Sequence, residues 1–329
     1  MADFAHRQSA HCESGVVANL LTHAGLPMSE PMAFGLASSL TFAYLPFIKI
    51  GGMPLIAYRM PPGSIIKGVA RRLGIRWQRC RYRDPRKGMA ALDHALDRGR
   101  VVGLQTSVYW LPYFPEDMRF HFNAHNLVVY GRDSGDYLIS DPVFEDVVRA
   151  DAASLEQARF AKGVLAAKGA LYFPEAVPAE IDYADAVPRA IRRNLHIMTK
   201  APVPIIGIRG IRFLGRSIEK LAQKKDRQRH LELYLGHIVR MQEEIGTGGA
   251  GFRFLYASFL QEAGKLLDNA RMADAAAALT EAGDDWRNFA LQATRMCRGR
   301  TPMDGRALGA LLDACADRER AVWQMLEPV

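Results

Sequence analysis

Apolar positions recur at helical spacing through residues 12–24, where Val16, Val17, Leu20, Leu21 and Ala24 share one side and Gly25 ends the run. Ser29 is placed to cap a second helix carrying Met32, Phe34, Leu36 and Leu40. A Gly/Pro-rich stretch follows over 51–63, then a short helix from Ser64 to Gly74. Residues 75–82 alternate like a strand. Asp84-Pro85 opens a helix with Met89, Leu92, Ala95 and Leu96 inward and Gly99 behind it. Three strand-like runs come next, at 101–110, 126–130 and 137–140, the last two flanking a Ser134-Gly135 hairpin turn. A helix near 152–162 and a strand near 170–173 complete this part.

The pattern then changes. Pro174, Pro178 and Pro188 mark a linker, and beyond it the spacing is helical through 185–199, 208–245, 250–268, 271–299 and 304–326. No internal repeat or low-complexity segment interrupts it. The expected class is α+β: a mixed domain over 1–175, a linker over 176–187 and an all-helical domain over 188–329.

Composition narrows the reading at a few points. A chain of 329 residues with 49% hydrophobic content suits two globular domains, and 24% charged residues argues against disorder. Residues 31–48 carry no charge and approach the length of a membrane span. Gly35, Ser38, Ser39, Thr41 and Pro46 interrupt that run, so we expect a buried helix followed by a turn and no membrane span. Residues 1–7 hold no apolar signal core, which points to the cytoplasm and to reduced thiols at Cys12, Cys80, Cys297 and Cys315. The net charge of +8 is concentrated. Residues 67–87 hold nine Lys/Arg against Asp84 alone, and residues 209–230 hold eight against Glu219 and Asp226. Such blocks attract an anionic partner; on charge alone nucleic acid, anionic lipid and an acidic protein all qualify, as does a merely solvated helix face.

The chemistry centres on Cys12. A thiol becomes a good nucleophile as a thiolate, which a helix N-terminus and a neighbouring imidazole both favour. Cys12 stands where the polar segment His6 to His11 gives way to the helical pattern, and Glu13 is the one acid in the first two turns. His125 precedes the apolar strand run, and Asp141 ends the next strand, so a hairpin sets them side by side. Asp141 could then hold the imidazole in its working tautomer, as the third member of a triad does. Taken singly, each is as well explained as a core thiol, a structural imidazole and a turn aspartate. Their order along the chain is what favours catalysis.

His11-Cys12-Glu13-Ser14, Phe34-Gly35-Leu36, the aromatic run from Tyr109 to Tyr113, and the segment from His121 through His125 to Asp141 resemble the N-terminal domain of the butirosin biosynthesis protein H family. The stretch from Glu243 to Gly249 with Phe252 to Leu260 resembles the uncharacterised helical domain that often follows it. The resemblance implies a papain-like fold, similar to that of the bacteriocin-processing peptidases, and acyl transfer. The butirosin protein moves an aminoacyl group from the phosphopantetheine thioester of an acyl carrier protein to an amine of an aminoglycoside. Carried over, Cys12 attacks the carrier thioester, His125 handles the protons and Asp141 orients it. The acidic carrier protein becomes the expected partner of the basic blocks, rather than nucleic acid, with a small amine as acceptor and no bound cofactor. The oligomeric state stays open, a homo-oligomer included. A cysteine peptidase or amidohydrolase on the same fold, and a non-catalytic carrier-binding module, remain alternatives.

Further residues follow from these motifs. Papain-like enzymes add an upstream Gln side chain to the nucleophile's N–H as oxyanion donors; Gln8 is the first candidate and Gln105 the second. Tyr109, Trp110, Tyr113 and His121 are candidates for the pocket wall. Gly246-Thr247-Gly248-Gly249 ahead of a helix resembles a phosphate cradle without the Lys-Ser/Thr of a P-loop, with Arg253 and Tyr256 on one face of that helix. A tight interhelical turn is the plainer reading. His121 and His125 are four apart on a strand-like pattern, which does not suit zinc, and no metal is expected.

Overall fold

The computed structural model describes residues 4–327; residues 1–3 of the N-terminal segment lie outside them. The elements run α1 (Cys12–His23), α2 (Glu30–Leu36), β1 (Leu40–Ile50), β2 (Met53–Arg59), α3 (Ser64–Leu73), β3 (Arg76–Cys80), α4 (Pro85–Asp97) and β4 (Val102–Thr106). They continue with β5 (His125–Asp133), β6 (Asp136–Ser140), β7 (Val148–Asp151), α5 (Ala152–Phe160) and β8 (Leu171–Ala176). The helices α6 (Tyr183–Thr199), α7 (Gly207–Ala222), α8 (Gln228–Glu243), α9 (Arg253–Leu266), α10 (Ala270–Cys297) and α11 (Gly305–Met325) complete the chain. They form two compact units, Met1–Ala33 with Ile65–Ile181, and Phe34–Ser64 with Asp182–Val329.

The first unit is built on a six-stranded antiparallel sheet in the order β3-β8-β4-β5-β6-β7. Period-two alternation along β4 and β5 sends Val102, Leu104, Leu127 and Val129 into one apolar core with Met89 and Leu92 of α4 and Leu155 and Ala158 of α5. Helix α1 packs on β4, β5 and β8 and buries Val16, Val17, Leu20 and Leu21. The β5–β6 turn is the expected Ser134-Gly135, both at positive φ (51° and 95°). The expected strand over 101–110 stops at Thr106, because the chain turns into a 3₁₀ segment at Val108–Trp110. Strand β7 was not anticipated; its four residues are too few to show a period.

The second unit combines the hairpin β1–β2 with α6 to α11. The expectation of a buried helix and a loop over 31–63 holds only as far as Leu36. Beyond it the uncharged run is a strand rich in β-branched and aromatic residues, and Gly51-Gly52, both at positive φ, turns it back on itself. An apolar run without alternation cannot be told from a helix by its period. This segment also moves the expected domain division. Phe34 stacks on Phe252 at 5.1 Å, Phe42 and Tyr58 meet Trp286, and a Cβ on Gly35 would lie 2.0 Å from the Phe259 ring. Residues 34–64 therefore belong with the helices and not with the sheet. The boundary at the other side falls near 182, since α6 begins at Tyr183 and holds Pro188 inside it. The single helical run expected over 208–245 is two helices, parted near 223–227. Among the described residues no helix is long and apolar enough to cross a membrane.

Candidate active site

Cys12 is the first residue of α1 and is 8% exposed. Its N–H lies in the first helical turn, where no carbonyl inside the helix reaches it. His11 is the N-cap and accepts from the Ser14 N–H. The loop before the helix is held by Glu30, whose carboxylate accepts from the N–H of Ala10 (2.9 Å), the N–H of His11 (2.8 Å) and the Ser14 hydroxyl (3.0 Å). Burial raises the Glu30 pKa, and these hydrogen bonds work against that rise. Glu13, the acid beside the nucleophile, is committed elsewhere: it accepts from the N–H groups of Ile65 (2.9 Å) and Ile66 (3.4 Å) at the start of α3.

The N-terminal segment is also fastened to the turn that carries Asp141. The Ser9 N–H donates to the Pro142 carbonyl at 2.8 Å. His6 Nε2 donates to the Phe144 carbonyl (3.0 Å), so Nδ1 accepts from the Ser140 hydroxyl (2.6 Å). Gly15 makes the fit possible, since a Cβ there would lie 2.6 Å from Ser9 Cβ and 2.9 Å from Pro142 Cβ.

His125 opens β5 and Asp141 follows β6. His125 Nε2 donates to Asp141 Oδ2 at 2.7 Å, and both side chains are buried. The Cys12 side chain lies within interaction range of the same imidazole, whose Nδ1 is not used by Asp141. Asp141 is held on both oxygens: Oδ2 also accepts from the Tyr113 hydroxyl at 2.9 Å, and Oδ1 from the Val143 N–H at 3.1 Å. Burial alone would lower the His125 pKa from 6.5, but the Asp141 charge and hydrogen bond, with those of Cys12, outweigh it and raise it to about 10. The imidazole is thus protonated at neutral pH. Burial and the Asp141 carboxylate push the Tyr113 phenol well above its ordinary range, so it remains a donor.

The other candidate residues are placed differently from what their motifs suggested. Tyr113 lies beneath Asp141 and supports it; it is not a pocket wall. Gln105 has both amide protons committed, to the carbonyls of Asn123 (2.9 Å) and Leu165 (3.0 Å), and so is no oxyanion donor. Gln8 is exposed and gives one proton to the Val143 carbonyl at 3.3 Å, beside the Asp141 turn. It remains the candidate of the two. Tyr109 stacks on His121 at 4.1 Å and meets Trp110 edge-on at 5.0 Å, an exposed aromatic cluster. Among the described residues no group of His, Cys, Asp and Glu side chains is arranged to hold a metal ion.

The three residues of the second unit are structural. Thr247 accepts from the Gly249 N–H (3.0 Å) and donates to the Gln242 carbonyl (2.7 Å), closing the turn after α8. Arg253, fully buried, pairs with Glu319 at 2.9 Å, donates to the Gly251 carbonyl at 2.7 Å and lies over the Trp286 ring. Tyr256 is enclosed by Phe259 and Trp323. The Gly-Thr-Gly-Gly segment is therefore an interhelical turn, with its groups used inside the fold.

Sequence reasoning passed over Glu30, His6 and Gly15. Their partners lie up to 138 residues away, so no local pattern announces them.

A cysteine at a helix start, packed on an antiparallel sheet that brings up a histidine and an aspartate, is the papain-like arrangement of nucleophile, base and orienting acid. Residues 153–326, more than half of the chain, match the domain of unknown function DUF4872, and the protein belongs to that family. Residues 11–142 match Butirosin biosynthesis protein H, N-terminal, and so span Cys12, His125 and Asp141. No curated protein matches the chain. Among solved structures it is similar to a putative C39-like peptidase from Bacillus anthracis, with 16% identity and a TM-score of 0.38, over 54% of this chain and 96% of that one.

Proposed function

We propose that the protein is an acyltransferase that carries an acyl or aminoacyl group on Cys12 between a carrier-protein thioester and an amine. The observation behind this reading is Cys12 at the start of α1 beside the hydrogen-bonded pair His125–Asp141. In the first half-reaction Sγ attacks the thioester carbonyl. The tetrahedral oxyanion lies by the Cys12 N–H, with Gln8 as second donor. The intermediate collapses to the Cys12 thioester, and the carrier thiol leaves with a proton from His125. In the second, the amine attacks, His125 takes its proton, and Sγ departs as the amide forms. Asp141, fixed by Tyr113 and Val143, keeps the ring aligned through both halves.

The match to the butirosin family supports the choice of acyl transfer over peptide cleavage. The basic blocks support an acidic carrier as the donor's bearer, and such a partner implies a cytoplasmic reaction. The donor's thioester arm is phosphopantetheine, and the acceptor is a small amine.

The test is the fate of the acyl group. With a panel of short acyl and aminoacyl pantetheine thioesters and a primary amine, the expected product is the amide, in proportion to amine concentration. Free acid alone, at a rate indifferent to the amine, would make the protein a hydrolase on the same site.

A further inference from the structure

A groove runs between α3 and the edge strand β3 in the first unit. Its floor is Ile66 and Ile75, both buried. Its rim is Lys67, Arg71 and Arg79, all exposed, with Trp77 between. Lys67 and Arg71 stand one helical turn apart, about 6 Å along the axis at a rise of roughly 1.5 Å per residue. Among the described residues none of these three cations makes an ion pair or a side-chain hydrogen bond. Arg132, Arg149, Arg189 and Arg318, by contrast, pair with carboxylates. The one acid of this basic block, Asp84, caps α4 by accepting from the Lys87 N–H. Trp77 also leaves its indole N–H buried without a partner, an unfavourable state for a donor.

Two connections tie the groove to the nucleophile. The Ile66 N–H on its floor bonds Glu13, the residue after Cys12. Trp77 meets Tyr172 edge-on at 5.9 Å, and the Tyr172 hydroxyl donates to Asn126, the residue after His125, at 2.8 Å. Tyr172 itself lies within electrostatic reach of Cys12. The groove is thus joined to the elements that carry Cys12 and His125 by contacts buried between them.

The geometry points to this groove as the seat of the phosphate on the donor's pantetheine arm. The inference rests on the acyl-transfer reading above. Two guanidinium forks and an ammonium match the several oxygens of a phosphate, and their charge is uncompensated until one arrives. A thioester lies at the other end of the same arm, where Cys12 needs it.

Phosphopantetheine and pantetheine, titrated separately into the full-length protein by calorimetry under reducing conditions, test the site. Phosphopantetheine is expected to bind about tenfold more tightly, the value of one charge-assisted contact. Arg71→Glu and Arg79→Glu, at exposed positions, are each expected to abolish that difference. Equal binding of the two compounds, or a difference that survives both variants, overturns the site. Loading of Cys12 from unphosphorylated acyl-pantetheine should be unchanged in the same variants. If no thioester loads Cys12, the acyl-transfer reading fails, while the titrations still decide the groove. Coenzyme A and a phosphopantetheinylated carrier protein present the same phosphate. Whichever competes at lower concentration identifies the source, and failure of both to compete overturns the assignment.

Discussion

Cys12→Ala forms no acyl-enzyme, and His125→Ala forms one about a thousandfold more slowly than the unchanged protein. The first loss is absolute because no other thiol is built into a comparable site. Cys315 is buried in the second unit, where burial followed by Glu319 raises its pKa. The second loss reflects two roles of the imidazole, as the charge beside Sγ and as the acid for the leaving thiol. Asp141→Asn separates these roles. Without the carboxylate, burial is countered by Cys12 alone, and the His125 pKa falls from about 10. In the unfolded chain the imidazole titrates near 6.5 and in the folded protein near 10. Its favourable interaction with Asp141 is complete below 6.5 and fades as pH rises through 10. Imidazole nitrogen shifts measured by NMR from neutral to alkaline pH should show this midpoint in the unchanged protein and lose it in Asp141→Asn. An imidazole already neutral at pH 7 in the unchanged protein would contradict the charge state assigned to the pair.

Arg253→Ala is expected to destabilise the second unit by about 3–5 kcal/mol, because it leaves a buried carboxylate without its cation. Glu319 accepts from Arg253 Nε at 2.9 Å, and the Trp286 N–H at 2.7 Å cannot replace a full charge. Arg253 also fills space against the Tyr58 and Trp286 rings. Arg253→Met with Glu319→Leu should recover most of the loss, since apolar residues of similar volume often replace a buried pair at little cost. Urea denaturation measures both. A loss below about 1 kcal/mol for the single variant, the range of an exposed pair, would contradict the central place given to this ion pair. The same experiment bears on the reading of the motif, because a phosphate-binding Arg253 would weaken ligand binding without unfolding the unit.

The contrast between these two sites shows what was legible in the sequence. Cys12, His125 and Asp141 could be read because each marks the end of an element with a plain signal: a polar-to-helical change, the start of an apolar strand, and an Asp-Pro after one. The Ser134-Gly135 turn then fixes which strand ends meet. Tyr113, Glu30 and His6 act through the tertiary fold, and no spacing of three or four residues points to them. Thr247 and Arg253 were misread for the opposite reason. Their motif is distinctive, but its constraint is packing: a turn closed by a hydroxyl and a charge buried among aromatic rings. The β1–β2 hairpin was hidden by an apolar run without alternation and by two prolines, although Gly51-Gly52 offered a turn signal.

Intact-mass spectrometry after brief exposure to an acyl-pantetheine thioester tests the central claim most directly. The account predicts a mass increase equal to one acyl group, mapped by peptide analysis to Cys12, released by hydroxylamine and absent in Cys12→Ala. A protein that stays unmodified while the thioester is consumed, or an adduct that maps to another residue, would contradict it.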